Sequence, residues 1–197
     1  MSEVTFARRL NPGDTVMVIA PSRSIGILSH TCRSRAIEVL ERLGLKIEYG
    51  THVDEDSWCS RLNDLHQAFL DPEVKGVLTA IGGFSANQLL PSIDFEVIKK
   101  NPKIFCGFSD ITVLSLAIYQ QTGLVTYSGP HFSTLSLGGC EGRFVHEYFE
   151  KVFFGNSPVE LLRVSHSEMT LGSCLTSTTV RRISALGFFL LNKMFTK

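Results

Sequence analysis

Two hydrophobic rhythms alternate along the first three quarters of the chain. Short, nearly continuous apolar runs occupy residues 15–20 (Thr15-Val16-Met17-Val18-Ile19-Ala20), 77–81 and 104–106. Between them, apolar positions return every three or four residues. A short run closed by turn residues suits a strand buried on both faces, as in a parallel sheet. The first run follows the turn signal Asn11-Pro12-Gly13-Asp14 and is broken by Pro21-Ser22-Arg23-Ser24. The second ends at Gly82-Gly83 and the third at Gly107. Lys46-Ile47-Glu48-Tyr49 alternates, which predicts a more exposed strand, and Val125-Thr126-Tyr127 predicts a fifth, closed by Ser128-Gly129-Pro130.

The helical rhythm is clearest over residues 29–43, where Ala36, Ile37, Leu40 and Leu43 share a face and Gly44 stops the run. Residues 60–70 present Leu62, Leu65 and Phe69 before Asp71-Pro72. Residues 86–93 predict a short helix up to Pro91, and 95–100 another, capped by Asp94. Residues 110–121 are apolar nearly all round, so that helix must be buried; Gly123 ends it. A last amphipathic helix is expected over 141–154, stopping at Gly155-Asn156. Strands alternating with helices at this spacing predict an α/β fold: an open, mainly parallel sheet with helices on both faces.

Residues 169–197 break the pattern. They hold Arg181, Arg182, Lys193 and Lys197 but no acidic residue, and an apolar patch at 185–191 follows a Ser/Thr-rich stretch. We expect residues 1–162 to form one domain, and 163–197 to be an aberrant or disordered tail from a disrupted or truncated reading frame.

Charge and composition remove several function classes. The 19 basic and 19 acidic residues balance to zero, so there is no electrostatic footprint for nucleic acid. No apolar run is long enough to span a bilayer, and the N-terminus lacks the order of a signal peptide. Five widely spaced cysteines, an odd number with no C-x-x-C pair, argue for a reducing compartment and buried thiols rather than a disulfide frame or zinc site. The expected setting is cytoplasmic.

In open α/β sheets, ligands bind at the carboxyl ends of the strands. Three loops fall there: Gly82-Gly83-Phe84-Ser85-Ala86-Asn87, Gly107-Phe108-Ser109-Asp110 and Ser128-Gly129-Pro130-His131. Ser109 stands where a nucleophile would, between strand and helix. It also stands where a helix N-cap would, and position 111 is Ile rather than the second glycine of G-x-S-x-G. Amides of the Gly82-Gly83 turn and of Asp110 could together stabilise an oxyanion. Cys106 lies inside an apolar strand and reads as core. There is neither a P-loop nor a G-x-G-x-x-G element. Of six histidines, His30, His66 and His146 fall on or at helices, His52 near a strand end and His166 in the tail. Only His131 is on a loop that could face Ser109, where contact with substrate, or with residues that touch it, suits it better than general base. No triad can be assembled from these residues alone.

Four motifs in one order then carry a resemblance. Asn11-Pro12-Gly13-Asp14 leads into Val18-Ile19-Ala20-Pro21-Ser22; Ala80-Ile81-Gly82-Gly83 precedes Asn87-Gln88-Leu89-Leu90-Pro91; Gly107-Phe108-Ser109-Asp110 and Thr126-Tyr127-Ser128-Gly129-Pro130 follow. This resembles the LD-carboxypeptidase family of serine peptidases, nearer its microcin C self-immunity branch, over roughly residues 5–162. The resemblance implies a flavodoxin-like or class I glutamine amidotransferase-like N-terminal domain. It implies amide hydrolysis by a Ser-Glu-His triad without metal or cofactor, on a muropeptide or a microcin-like peptidyl nucleotide. Ser109 would be the nucleophile, Asp110 and Gly83 the oxyanion hole, and Gly82, Phe84, Asn87 and His131 substrate contacts. The family's Glu and His come from a C-terminal domain that this chain does not contain, so by itself it is expected to be inactive or nearly so. A homodimer remains open. The alternatives are a non-catalytic remnant that binds ligands or partners, and a nucleotide-binding module, which the missing phosphate loop disfavours.

Overall fold

The computed structural model describes residues 3–155 and the strand residues 189–190. Five parallel strands form one sheet in the order β2-β1-β3-β4-β5. They are β1 (Thr15–Ile19), β2 (Lys46–Tyr49), β3 (Val74–Thr79), β4 (Ile104–Cys106) and β5 (Tyr127–Ser128). A sixth, β6 (Phe189–Leu190), pairs antiparallel with β5. The expected tail otherwise lies outside the described residues, as does His166.

The continuous apolar run of β1 is explained by burial on both faces. Val16 and Val18 pack with Ala36, Val39 and Leu40 of α1 (His30–Arg42) and with Phe149 and Phe153 of α6 (Gly139–Phe153). Met17 and Ile19 point the other way. They meet Leu65 and Phe69 of α2 (Trp58–Leu70), Ile98 of α3 (Phe95–Lys100), and Leu114 and Ile118 of α4 (Thr112–Thr122). Two-residue periodicity in the strand thus feeds two separate cores. β2, the edge strand, is mostly exposed, as its alternation predicts.

The helices begin and end largely where the residues say. The Ser29 hydroxyl accepts the Cys32 N–H at 3.2 Å, and Gly123 takes a left-handed φ of 78° at the end of α4. Asp94 accepts the N–H groups of Glu96 and Val97 at 3.0 and 3.4 Å. An Asp94→Ala variant should therefore lose about 1 kcal/mol of stability, read from its urea midpoint.

Four features depart from the hydropathy reading. β3 starts at Val74, three residues before the apolar run, because Val74 and Gly76 pair with Thr15 and Val16 of β1 across a register shift that passes over Lys75. The segment Ala86–Ser92 is a 3-10 rather than an α-helix and holds Pro91. A short helix, α5 (Phe132–Leu135), follows β5 where only a loop is expected. Among the described cysteines only Cys106 is a buried free thiol. Cys32 is half-buried and Cys59 exposed, while Cys140 is disulfide-bonded, against expectation, since spacing in sequence says little about distance in the fold. Among the described residues no helix is long and apolar enough to cross a membrane.

The crossover from β1 to β2 runs through α1 on one face, and that from β2 to β3 through α2 on the other. The strand order therefore reverses beside β1. That reversal is the topological switch point of a doubly wound sheet, where the loops after β1 and β3 diverge and leave a crevice.

Candidate active site

At the carboxyl end of β4 the chain turns through Gly107 and Phe108 into a single 3-10 turn, Ser109–Ile111, before α4. A Cβ at Gly107 would overlap the Thr79 hydroxyl and stand 3.0 Å from Ile111 Cγ2, so only glycine lets β4 turn this tightly against β3. Ser109 takes a φ of +60°, the one positive φ outside glycine among the described residues. Such a conformation costs a non-glycine residue roughly 1–2 kcal/mol. An N-cap residue sits instead in the extended region and accepts a backbone N–H. Here Phe108 occupies the cap position, and neither the 3-10 turn nor α4 has a side-chain cap bond. Ser109 is exposed, with its strain maintained by the packed turn around it.

Asp110 ties this elbow to its neighbours. Its Oδ2 accepts the Ser22 hydroxyl at 2.5 Å and the Ala86 N–H at 2.9 Å, joining the loops after β1 and β3. Behind them lies Arg61 of α2, which sequence reasoning missed: it adjoins the apolar face of its helix and reads as an ordinary surface cation. Its guanidinium is buried and donates to the Pro21 and Ser22 carbonyls at 3.1 and 3.0 Å, to Ser85 Oγ at 2.9 Å and to Gln88 Oε1 at 2.8 Å. Burial lowers its pKa, opposed by the Asp56 and Asp110 charges, and a guanidinium stays protonated regardless.

The Gly82-Gly83 turn is shaped by the same contacts. A Cβ on Gly83 would overlap Ser22 Oγ and stand 2.5 Å from Arg23 Cγ. The N–H groups of Gly83 and Asp110 have no acceptor among the described residues. Phe84 is 88% exposed and Asn87 is exposed, both on the rim of this turn.

His131 is placed beneath the elbow. Its ring stacks on Phe108 with centroids 4.2 Å apart, and its Nδ1 lies 2.8 Å from Thr79 Oγ1. The Thr79 hydroxyl donates to the Cys106 carbonyl at 3.2 Å, so Nδ1 is assigned the proton and Nε2 the lone pair. Nε2 is buried and has no partner among the described residues. Burial pushes the imidazole pKa down to about 4, against a smaller opposing contribution from the Phe108 carbonyl. A Cβ on Gly82 would lie 3.3 Å from Ser109 Cβ and 3.4 Å from both Ser109 Oγ and His131 Nε2. Gly82, Ser109 and His131 therefore meet at one point.

The other described histidines are engaged elsewhere: His30 with Ser34, His52 with Asp64, His66 with the Asp94 N–H and His146 with the Leu135 carbonyl. Cys106 is buried, with its thiol donating to the Pro130 carbonyl at 3.5 Å and its pKa raised by burial. Among the described residues no His/Cys/Asp/Glu group could hold a metal.

The contacts at Gly82 make a prediction. A methyl there meets its neighbours at tight but tolerable distances, so Gly82→Ala should fold while crowding Ser109. We expect phosphonate labelling of the serine to slow by about tenfold with a urea midpoint close to that of the parent.

The sequence profile of the LD-carboxypeptidase N-terminal domain matches residues 16–129. The carboxypeptidase-family protein YocD of Bacillus subtilis is 46% identical over 163 residues, covering 79% of this chain and 50% of that one. The murein tetrapeptide carboxypeptidase of Pseudomonas aeruginosa is 34% identical over 131 residues, covering 62% of this chain and 41% of that one. Among solved structures, the microcin C7 self-immunity protein MccF in complex with aspartyl sulfamoyl adenosine superposes with a TM-score of 0.72 at 28% identity. That match covers 76% of this chain and 47% of the other. MccF is known from Escherichia coli. The chain spans about half the length of these curated relatives.

Proposed function

The chain belongs to the LD-carboxypeptidase family, and on that premise we propose that it supplies the nucleophile half of a serine carboxypeptidase. The observation that carries this is the strained, exposed Ser109 beside the Gly82-Gly83 turn, with the Gly83 and Asp110 N–H groups left without acceptors among the described residues. In the proposed reaction Ser109 Oγ attacks the carbonyl carbon of the scissile amide, and its proton passes to a base. The charge on the carbonyl oxygen is taken up by the N–H groups of Asp110 and Gly83. The amine then leaves with a proton, and water hydrolyses the acyl-serine ester.

The base is the part the described residues do not provide. No carboxylate–imidazole pair stands on Ser109 among them, and the family resemblance assigns Glu and His to a C-terminal domain. Residues 1–162 on this reading are the nucleophile domain, and hydrolysis by them alone should be slow, since a serine hydroxyl without its base is a weak nucleophile. The same observation favours a second reading, a non-catalytic remnant that folds and binds ligand without turnover.

For substrates, the relatives point to small peptides and peptidyl nucleotides: one is named for murein tetrapeptide, and another is solved with aspartyl sulfamoyl adenosine. On this reading Phe84 and Asn87, exposed on the turn, would contact such a substrate, with Gly82 and His131 buried beneath them. A cytoplasmic setting goes with this reading. A homodimer is compatible with it and is checked by light scattering on the eluting protein.

The test is a fluorophosphonate probe followed by peptide mapping. An adduct on Ser109, absent in Ser109→Ala, supports the enzyme reading. A folded chain that takes no adduct, under conditions where a full-length relative is labelled, supports the remnant.

A further inference from the structure

Three observations converge on His131. Its Nε2, assigned the lone pair, has no partner among the described residues, in a side chain only 3% exposed. A buried polar atom left unpaired is costly, so it calls for a donor. Water cannot approach an atom so enclosed, and the same holds for a ligand group of similar size. The donor must come from within the fold. Gly82 has no side chain, and the point its Cβ would occupy lies equally 3.4 Å from Nε2 and from Ser109 Oγ. The serine hydroxyl has three staggered positions about its Cα–Cβ bond, and Oγ now borders the space that Nε2 also faces. The imidazole is held from its far side by the Thr79 hydroxyl and from its face by Phe108.

We propose that His131 Nε2 accepts the hydrogen bond of the Ser109 hydroxyl in one rotamer, making His131 a positioning residue for the nucleophile within this domain. The inference rests on the assignment of Ser109 as nucleophile and adds a partner that the family triad does not include. No proton is transferred. The neutral imidazole, kept so by its burial, fixes the direction of the hydroxyl and raises the electron density on Oγ. It does not replace the base. Gly82 is then required twice, for its turn and for the absence of a methyl between serine and histidine.

The test uses the full chain and two readouts. In imidazole 15N spectra, the Nε2 resonance of His131 should move downfield in Ser109→Ala, because a hydrogen-bond donor has been removed. In labelling with a fluorophosphonate, His131→Phe, which keeps the stacked ring but has no acceptor, should react about tenfold more slowly than wild type, the equivalent of one ordinary hydrogen bond. His131→Gln, which can present an oxygen in the same direction, should recover part of that rate. A purely structural histidine would move neither the resonance nor the rescue. An Nε2 resonance indifferent to Ser109→Ala overturns the proposal, whether or not the serine is labelled. Equal labelling of wild type and His131→Phe overturns the positioning role while leaving the nucleophile assignment standing. Absence of any Ser109 adduct removes the nucleophile assignment and the positioning role together.

Discussion

Ser109→Gly should be more stable than the parent by about 1 kcal/mol and should carry no phosphonate adduct at all. The two outcomes have one origin. A left-handed φ of +60° is costly for serine and free for glycine, although glycine gives back part of the gain through the greater entropy of its unfolded chain. Ser109→Ala separates the effects. It keeps the Cβ and hence the strain, so its stability should stay close to the parent, yet it too should be unlabelled. In an assembly that also provides the base, either change should lower turnover by about 10⁴–10⁶-fold, the scale seen when a serine nucleophile is removed. Urea midpoints for the three proteins check the first half and adduct mass the second. Equal stability of the glycine and alanine variants would mean that the elbow stores no strain.

Acid should weaken the fold through His131. An unfolded imidazole titrates near about 6.5. In the fold, burial holds the group to about 4. Between these values the unfolded chain binds a proton that the native state refuses. Stability contributed by the neutral ring is thus fully present above about 6.5 and is lost as the pH falls toward 4. The shift corresponds to on the order of 3 kcal/mol across that window. His66, also lowered by burial, adds in the same direction. His52, raised by its hydrogen bond to Asp64, acts in the opposite sense. The measurement is therefore a difference: the slope of stability against pH between about 4 and 6.5 should be shallower in His131→Phe than in the parent. Parallel slopes would show that the ring is not held neutral by its surroundings.

Much of the sheet was legible because its causes are local. A strand covered on both faces is apolar along its length, as residues 16–20 are, and Ser29, Gly44, Asp94 and Gly123 mark helix ends by chemistry confined to one or two turns. The start of β3 is not legible because Val74 and Gly76 join the sheet through pairing with Thr15 and Val16 of β1, a cause about 60 residues away. The site was legible in part. The residue types around Ser109 raised the possibility of a nucleophile but equally of a cap, and the family motifs tipped that balance. What decides the local geometry is the φ at Ser109, in a turn where Gly107 lies too close to Thr79 for any side chain, and no local pattern encodes it. Thr79 and His131 lie 52 positions apart and Arg61 lies 24 from Ser85, so their partnerships exist only once the strands are aligned. Arg61 gave no warning, since a guanidinium that bonds to carbonyls and an amide looks in sequence like any surface arginine.

Those bonds of Arg61 and Asp110 have a consequence for how a ligand would arrive. The loops after β1 and β3 and the elbow are fastened together during folding, by partners buried behind the crevice. Little loop motion is then left to freeze on association. Binding should register calorimetrically without the large unfavourable entropy of a closing lid, and approach to equilibrium should be a single relaxation whose rate rises linearly with ligand concentration.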